Sequence, residues 1–362
     1  MQPSPSNTLP AMTLPPLLED LLTAHGPSGY EAAPAAAWRR HAAAFATVGS
    51  DVMGSSTATV AGIGDGPRVA VIGHIDEIGL IVTHIDDKGF LWFTGVGGWD
   101  PQILVGQRVT LTTRDGAIPG IVGRKPIHLL KDEARKKVPE LRELHIDIGA
   151  RDGDEAHGLV RVGDVAVIAG DPVELPNGRF AARSMDNRLG CYVALEAARL
   201  VSEAGGAPGE VVAVAAVQEE ITFGGSRTTA YGLEPDVAIV VDVTHATDVP
   251  GVEERELGSH PLGSGPVISR GSTLHPLVFE LLHDAADAEG IPFTIEASAR
   301  STGTDADAVH VTRSGIPSGL VSLPLRYMHS SVETVELADV DAAARLIAAF
   351  CLRLAPSADF DR

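Results

Sequence analysis

Several polar residues follow apolar stretches of the sequence at points where buried strands are expected to end. Four such stretches are each closed by imidazole or carboxylate side chains, and a further Asp stands at the predicted start of a helix; these residues are His74, Asp76, Glu219, Glu220, Asp242, His329 and Asp186. In open α/β sheets, ligands bind outside the carboxyl ends of the strands. Two imidazoles and several carboxylates suit zinc, cobalt or manganese, and the set lacks the thiolates of a structural zinc site. The sequence therefore predicts a catalytic metal centre.

Spacing distinguishes His74 from the other histidines of the chain. The sequence has 13 His, and most of them must be ordinary surface or packed residues. In an extended strand, the order His-Ile-Asp places His74 and Asp76 on one face. A carboxylate beside a ligating imidazole fixes its orientation, so Asp76 is predicted to orient His74.

The adjacent acids Glu219 and Glu220 end a long apolar run. If this segment is extended, their side chains diverge, so that one can ligate a metal while the other faces the activated water as a base. Two other candidates have competing interpretations. Asp186 could be a helix N-cap, and Asp242 a simple strand terminator with His245 as its substitute ligand.

The elements that must position these residues alternate between strand and helix patterns. Helices are predicted in LPPLLEDLLTAHG, in the Ala-rich segment after it, from near Asp186 to Gly205, and in HPLVFELLHDAADAEG. Strands are predicted before His74, in GEVVAVAAVQEE and PDVAIVVDVTHATD, and in a segment ending near His329. This order favours an α/β fold with a doubly wound mixed sheet flanked by helices.

A different sequence pattern interrupts this alternation of strands and helices after the His74 strand. Short strands alternate with Gly and Pro turns, as in a small β-barrel or sandwich. We therefore expect residues 1–80 and 177–362 to form a discontinuous α/β domain, and residues 81–176 to form an inserted β-rich domain. An insertion of this length is more typical of a functional module than of a loop.

Composition limits the class of protein. The chain has 362 residues and a formal net charge of −20, which argues against nucleic-acid and anionic-membrane partners. It contains only two cysteines, so a reducing compartment such as the cytoplasm is expected. The opening MQPSPSNTLPAMTLPP lacks the pattern of a signal peptide, and no apolar run is long enough to span a membrane.

Six segments of the chain resemble metallopeptidase family 42, the tetrahedral aminopeptidases, which include glutamyl, lysyl and deblocking enzymes. In order, they are GHIDEIGLIV, SMDNRLG, VQEE, VVDVTHATDVPG, GTDADA and RYMHSSVE. The resemblance implies a co-catalytic zinc-peptidase fold with two divalent ions per chain, zinc or cobalt, with manganese as another option. It implies that Asp186 bridges the two ions, that His74 and Asp242 complete one site, and that Glu220 and His329 complete the other.

The resemblance also implies that Glu219 is the general base and that Asp76 orients His74. The segment RKPIHLL resembles a family segment that places His128 near the site. The chain departs from the family after the acidic pair, where ITFGGSR replaces a Gly-Leu-Arg-Gly-Ala-like run, and in the Met of SMDNR, where Phe is common. Substrate preference is expected to depend on such differences and on the loops around residues 253–262 and 296–305.

In the family, the inserted domain forms dimers, and the dimers assemble into a hollow dodecamer. We expect the strand edges of the insertion and apolar residues such as Leu91, Trp92 and Phe93 to be covered by a partner copy. The partners expected are therefore further copies of this chain and peptides with a free N-terminus.

The predicted function is a two-metal aminopeptidase that removes the N-terminal residue of short peptides, with Glu219 as general base. One alternative is a related metal-dependent deacylase or carboxypeptidase, for which Arg300 or Arg326 could anchor a substrate carboxylate. Another is a glycosidase, although adjacent strand acids make a poor acid/base pair for that reaction. A third is a catalytically silent peptide-binding assembly protein, which would be expected to have lost a ligand or the base.

Overall fold

The computed structural model describes residues 13–361, and all structural statements below refer to that part of the chain. Most of the opening segment that was compared with a signal peptide lies outside the described residues. Seventeen strands are present, numbered along the chain: β1 Thr47–Ser50, β2 Ser56–Val60, β3 Val69–His74, β4 Gly79–Ile85, β5 Leu91–Val96, β6 Arg108–Thr113, β7 Gly116–Arg124, β8 Leu144–Asp147, β9 Val165–Ile168, β10 Val173–Leu175, β11 Arg179–Ala182, β12 Val211–Ala216, β13 Val237–His245, β14 Val267–Gly271, β15 Thr294–Ser298, β16 Ser318–Leu325 and β17 Glu333–Glu336.

The same part of the chain has twelve α-helices: α1 Pro16–Thr23, α2 Ala32–Ala42, α3 Pro101–Leu104, α4 Asp132–Arg135, α5 Gly153–Leu159, α6 Met185–Glu203, α7 Glu219–Thr222, α8 Gly224–Leu233, α9 Glu254–Leu257, α10 Pro276–Glu289, α11 Ala306–Val309 and α12 Leu337–Arg353. Short 3-10 helices cover Ile127–Leu129 and Leu141–Glu143. No helix among residues 13–361 combines the length and apolar character needed to cross a bilayer. Cys191 and Cys351 are both free and buried.

Eight strands form the main sheet, in the order β1-β2-β12-β3-β13-β16-β14-β15. Its centre is parallel, because β3 runs parallel to β12 and β13, and β13 runs parallel to β16. Strands β2 and β14 are antiparallel to their central neighbours, so the sheet is mixed. Strand β10 pairs with β11, and β11 with β17, in a separate small sheet.

Both faces of the main sheet are covered, which explains why its central strands are continuously apolar. Along β3, Val69 and Val71 join the hydrophobic cluster under α6, α10 and α12, whereas Ala70 and Ile72 join the cluster on the opposite face, where α8 and α11 pack. Strands β12 and β13 alternate in the same way. The predicted doubly wound arrangement with helices on both faces is confirmed.

Glycine brings α6 against the end of β3. A Cβ at Gly73 would lie 2.4 Å from the backbone carbon of Gly190, and a Cβ at Gly190 would lie 2.3 Å from Oδ1 of Asn187. Only residues without a side chain fit this contact, and it places the start of α6 beside His74.

The predicted β-rich insertion contains a closed barrel with the strand order β4-β5-β8-β7-β6-β9. Pairing of Leu80 with Ala166 joins β4 to β9 and closes it. The expectation of free strand edges is therefore wrong for the barrel, because each of its strands has two neighbours. The expectation for Leu91 and Phe93 is also wrong, since both point into the barrel core, and only Trp92 is half-buried. The domain boundaries at residues 81 and 176 stay a prediction.

Three predicted element ends also need correction. Strand β13 continues through Asp242 to His245, so Asp242 lies inside the strand rather than terminating it. Strand β16 ends at Leu325, before His329. Helix α6 begins at Met185, but the backbone of Asp186 has ψ of 107° and is not helical. The side chain that accepts a backbone N–H at the start of the regular helix is that of Asn187, which bonds Gly190 at 2.9 Å, so Asp186 does not act as the N-cap.

Candidate active site

The carboxyl ends of the parallel strands converge at one edge of the main sheet. His74 is the last residue of β3, Asp242 lies on the neighbouring β13, and the acidic pair follows β12. His329 follows β16, and Asp186 lies at the start of α6. All seven predicted site residues are therefore brought to this edge.

Asp186 lies between the two histidines. Its Oδ1 is 3.1 Å from Nε2 of His74, and its Oδ2 is 3.3 Å from Nε2 of His329. The two carboxylate oxygens thus face different imidazoles. This is the arrangement expected of a carboxylate shared between two cation sites.

The donor atoms form two compact groups. One contains His74, Asp186 and Glu220, and the other contains His74, Glu219 and Asp242; within each group the donor atoms lie within 4.8 Å of one another. His329 adjoins the first group, because its Nε2 is 3.3 Å from Oε1 of Glu220. Nitrogen and carboxylate donors at this spacing fit divalent metal ions such as zinc.

Asp76 is fully buried and has more contacts than the sequence predicted. Its Oδ1 is 3.3 Å from Nδ1 of His74, as expected for an orienting carboxylate. It also accepts hydrogen bonds from the backbone N–H groups of Glu219 at 3.0 Å and Glu220 at 3.2 Å, and from the hydroxyl of Ser28 at 2.5 Å. Asp76 therefore holds the backbone of the acidic pair by hydrogen bonds and lies within ion-pair distance of the His74 imidazole.

The acidic pair is helical, not extended. Glu219 and Glu220 begin α7, where successive side chains are about 100° apart rather than on opposite faces. Both acids consequently face the same site: Oε2 of Glu219 is 3.6 Å from Nε2 of His74, and Glu220 contacts His329. The predicted divergence of the two side chains is wrong, because the chain turns at Gln218, where φ is 60°.

Sharp backbone conformations adjoin several of these residues. Ser184, Gln218 and His329 are non-glycine residues with φ between 58° and 60°. Such conformations persist where surrounding contacts determine them, and they cluster at functional sites. They redirect the chain two residues before Asp186, directly before the acidic pair, and at His329 itself.

Two positioning groups were missed by the sequence reasoning. Buried Glu333 accepts hydrogen bonds from the backbone N–H of Asp186 at 3.2 Å and of His329 at 2.8 Å. Nδ1 of His329 donates to the carbonyl of Gly98, in the segment after barrel strand β5, at 3.0 Å. Glu333 ends the segment RYMHSSVE, but nothing in its spacing indicates that its side chain faces the site. The Gly98 carbonyl was not predictable either, because every residue has a backbone carbonyl.

Electrostatics at the site favour cations. Burial raises the pKa of Glu219 to about 10; neighbouring His74 opposes this shift, and the like charge of Asp242 adds to it. Burial and the charge of Asp186 raise the pKa of Asp242 well above its usual value. Burial opposes the charged form of His329, but hydrogen bonds with Asp186 and Glu220 outweigh it and raise its pKa to about 11. Crowded buried acids repel one another, so a bound cation would stabilise their charged forms.

A cavity of about 460 Å³ opens onto these residues. Phe223 lines it, so the segment ITFGGSR that departs from the family does reach the cavity. The loop around residues 296–305 contributes Glu296 and residues 302–304, but the loop around 253–262 contributes none of the lining residues, contrary to expectation. His245 lines the cavity in an exposed position, and exposed His128 does not line it within a single chain.

The two arginines considered as carboxylate anchors do not line the cavity. The guanidinium of Arg326 forms hydrogen bonds with both carboxylate oxygens of Asp248. Arg300 is exposed. The observation weakens the carboxypeptidase alternative, because that reaction needs a cation facing the substrate carboxylate.

Comparison with known proteins identifies the family. A family model described as M42 glutamyl aminopeptidase matches residues 54–346. The chain belongs to the M42 aminopeptidase family. This M42 chain is 35% identical over 297 residues to the lysyl aminopeptidase of Pyrococcus furiosus, a match that covers 81% of this chain and 84% of the relative.

Solved structures agree with the M42 assignment. A TET aminopeptidase from a marine sediment archaeon of the Thaumarchaeota has a TM-score of 0.89 and 36% identity, covering 93% of this chain and 95% of that chain. The TET1 peptidase of Pyrococcus horikoshii, which can assemble into a tetrahedron or a large octahedral shell, has a TM-score of 0.82 and 30% identity, covering 93% of this chain and 99% of that chain. The predicted family, fold class and peptidase activity are confirmed. The M42 chain is a hydrolase of the aminopeptidase class.

Proposed function

We propose that this M42 aminopeptidase releases the N-terminal residue of short peptides at a centre that holds two divalent metal ions. The position of Asp186 carries the proposal, because its two oxygens face His74 and His329 separately. The donor chemistry of the site fits zinc or cobalt, and manganese is compatible with it.

Asp186 would contribute to both metal sites. His74 and Asp242 would complete one, and Glu220 and His329 the other. When bound, two such ions polarise the scissile carbonyl and lower the pKa of water towards neutrality. Contacts with Asp76, Glu333 and Gly98 orient the donor side chains and their backbone, which would reduce the reorganisation that metal binding requires.

Glu219 is proposed as the general base. Its carboxylate faces the site, where it would take a proton from the attacking water and deliver it to the leaving amine. A free α-amine held beside the metal centre, by an acidic group or by a metal ion, would place the first peptide bond at the reacting atoms. This anchoring favours removal of the first residue over internal cleavage.

The alternatives receive less support. The arginines proposed as carboxylate anchors do not face the cavity, which weakens the carboxypeptidase alternative. All seven predicted residues converge, whereas a silent binding protein would be expected to have lost one. Family membership argues against a glycosidase. The earlier argument, that Glu219 and Glu220 diverge as neighbouring strand residues, no longer applies, because the acidic pair is helical.

Metal removal tests this proposal. Chelation is expected to abolish cleavage of an L-leucine anilide, and zinc or cobalt is expected to restore it at about two ions per chain. N-acetylation of the substrate should abolish cleavage in every preparation. Elemental analysis of the active protein provides the stoichiometry, and full activity with one ion or none would contradict a two-metal centre.

We also propose that the barrel mediates dimerisation and that dimers build a closed dodecamer. Ile127 and Leu129, in the segment between β7 and β8, are 58% and 65% exposed, which is unusual for large apolar side chains on one short helix. The chain's similarity to a shell-forming peptidase supports the proposal.

Light scattering of the intact protein at micromolar concentration and moderate salt should therefore show a large assembly. The double substitution Ile127→Glu and Leu129→Glu is expected to reduce the mass of the assembly, because burying the two new charges in an interface is costly. Val52→Glu provides a control, since Val52 is fully exposed on the turn between β1 and β2. A wild-type monomer would refute the assembly but not the metal centre.

A further inference from the structure

The outer part of the catalytic cavity contains one acid that the metal centre does not use. Among the lining residues, the carboxylates are Asp186, Glu219, Glu220, Asp242 and Glu296, and the first four belong to the ligand and base set. Glu296 is half-buried on β15, the edge strand of the main sheet. The mechanism gives this residue no role.

The distance of Glu296 from the metal centre can be followed along β13. Thr244 lies two residues beyond Asp242 on this strand, so the two side chains share a face and are about 6.6 Å apart along it. The hydroxyl of Thr244 donates to Oε1 of Glu296 at 3.2 Å. Glu296 therefore lies about one side-chain length beyond the metal-binding acids, on the same wall of the cavity.

No arginine or lysine lines the cavity among the described residues, so no basic side chain of those two types there pairs with Glu296. The guanidinium of Arg326 is engaged by Asp248, and Arg300 is exposed outside the lining. The apolar residues Phe223 and Met328 also line the cavity. The cavity thus combines apolar lining with one carboxylate that accepts a hydrogen bond from a threonine and belongs to neither the proposed ligands nor the base.

We propose that Glu296 selects peptides whose N-terminal residue has a cationic side chain, lysine or arginine. The inference rests on the proposed function, because it places the substrate's first residue between the metal centre and Glu296. The methylene stem of such a side chain would pack along the apolar wall, and its charged end would reach the carboxylate. A charge-assisted hydrogen bond at a half-buried acid contributes more than one at the open surface.

Anilides of five amino acids test the selection on the metal-loaded enzyme: L-lysine, L-arginine, L-norleucine, L-leucine and L-glutamate. Norleucine has a lysine-like stem without the ammonium. We expect kcat/KM for lysine to exceed that for norleucine roughly tenfold, the scale of a hydrogen bond to a charged group. Glu296→Gln should remove this preference and change norleucine cleavage less than about twofold, and Glu296→Lys should favour glutamate.

Glu280→Gln is the matched control, because Glu280 is an exposed acid on α10 outside the cavity. It should retain the preference for lysine. Wild-type enzyme that cleaves norleucine as well as lysine would overturn the proposal. So would a Glu296→Gln variant that loses both activities equally, since that result indicates a structural role.

Binding separates this inference from the proposed function. Calorimetry with L-lysinamide and L-norleucinamide measures the contribution of Glu296 without turnover, and the wild type but not Glu296→Gln should bind lysinamide more tightly. If no anilide is cleaved, the proposed function fails, while preferential lysinamide binding would still support the role of Glu296. Equal binding of the two amides would contradict it.

Discussion

Asp186→Ala is expected to abolish activity and to remove metal from both sites. The loss of kcat/KM should be on the order of 10⁴-fold or more, because the carboxylate shared by His74 and His329 would serve both ions. Steady-state kinetics and elemental analysis of the purified variant measure the two effects. In the proposed ligand assignment, Asp186 is the one residue that contributes to both sites.

Asp115→Ala is the matched control for this substitution, since Asp115 is an exposed acid in the turn between β6 and β7. It should retain two ions and full activity. Circular dichroism establishes whether the Asp186 variant is folded. A folded Asp186→Ala protein that still holds two ions would show that Asp186 does not bridge them.

Glu219→Gln is expected to retain its metals and lose turnover by roughly a hundred- to ten-thousand-fold, the usual contribution of a general base. The amide has the shape of the carboxylate but cannot accept a proton from water. The Asp76 hydrogen bond to the backbone N–H of residue 219 does not depend on this side chain, so α7 should keep its position. Metal content and kcat are the measurements.

Glu220→Gln provides the matched comparison within the same short helix. As a proposed ligand facing His329, it should bind metal more weakly, and excess metal in the assay should partly restore its activity. The opposite result, with Glu219→Gln losing metal and Glu220→Gln retaining it, would reverse the two assignments.

The location of the site was predictable because it follows from sheet topology. Parallel strands place their carboxyl ends at one edge, so polar residues after the apolar runs had to meet there, as His74 and Asp242 do. The conformation of the acidic pair was not predictable. It depends on Gln218, whose N–H donates to Glu31, and on Asp76, and both contacts join segments far apart in the chain.

The inserted barrel was likewise predictable in part: its strands follow from the local sequence pattern, whereas its closure depends on contacts between residues far apart in the chain. Alternating short strands indicated a β-rich unit, but they do not encode closure, which depends on the pairing of Leu80 with Ala166. In an open sheet, Leu91 and Phe93 could lie on an exposed face. In the closed barrel, their side chains pack in its hydrophobic core. Glu333 was missed for a related reason, because its role is to accept N–H groups from Asp186 and His329.

The position of the barrel in the chain also constrains how the protein can be made. Strand β3 is complete at His74, but its neighbours β12 and β13 begin only at Val211 and Val237. During synthesis, β3 is therefore complete before these partners and lacks them, with both of its faces apolar, while the whole barrel is translated. Such an unpaired strand is a template for wrong pairing and a target for chaperones. Because His74 and Asp186 are 112 residues apart and His329 comes later still, metal ions cannot organise the early nascent chain.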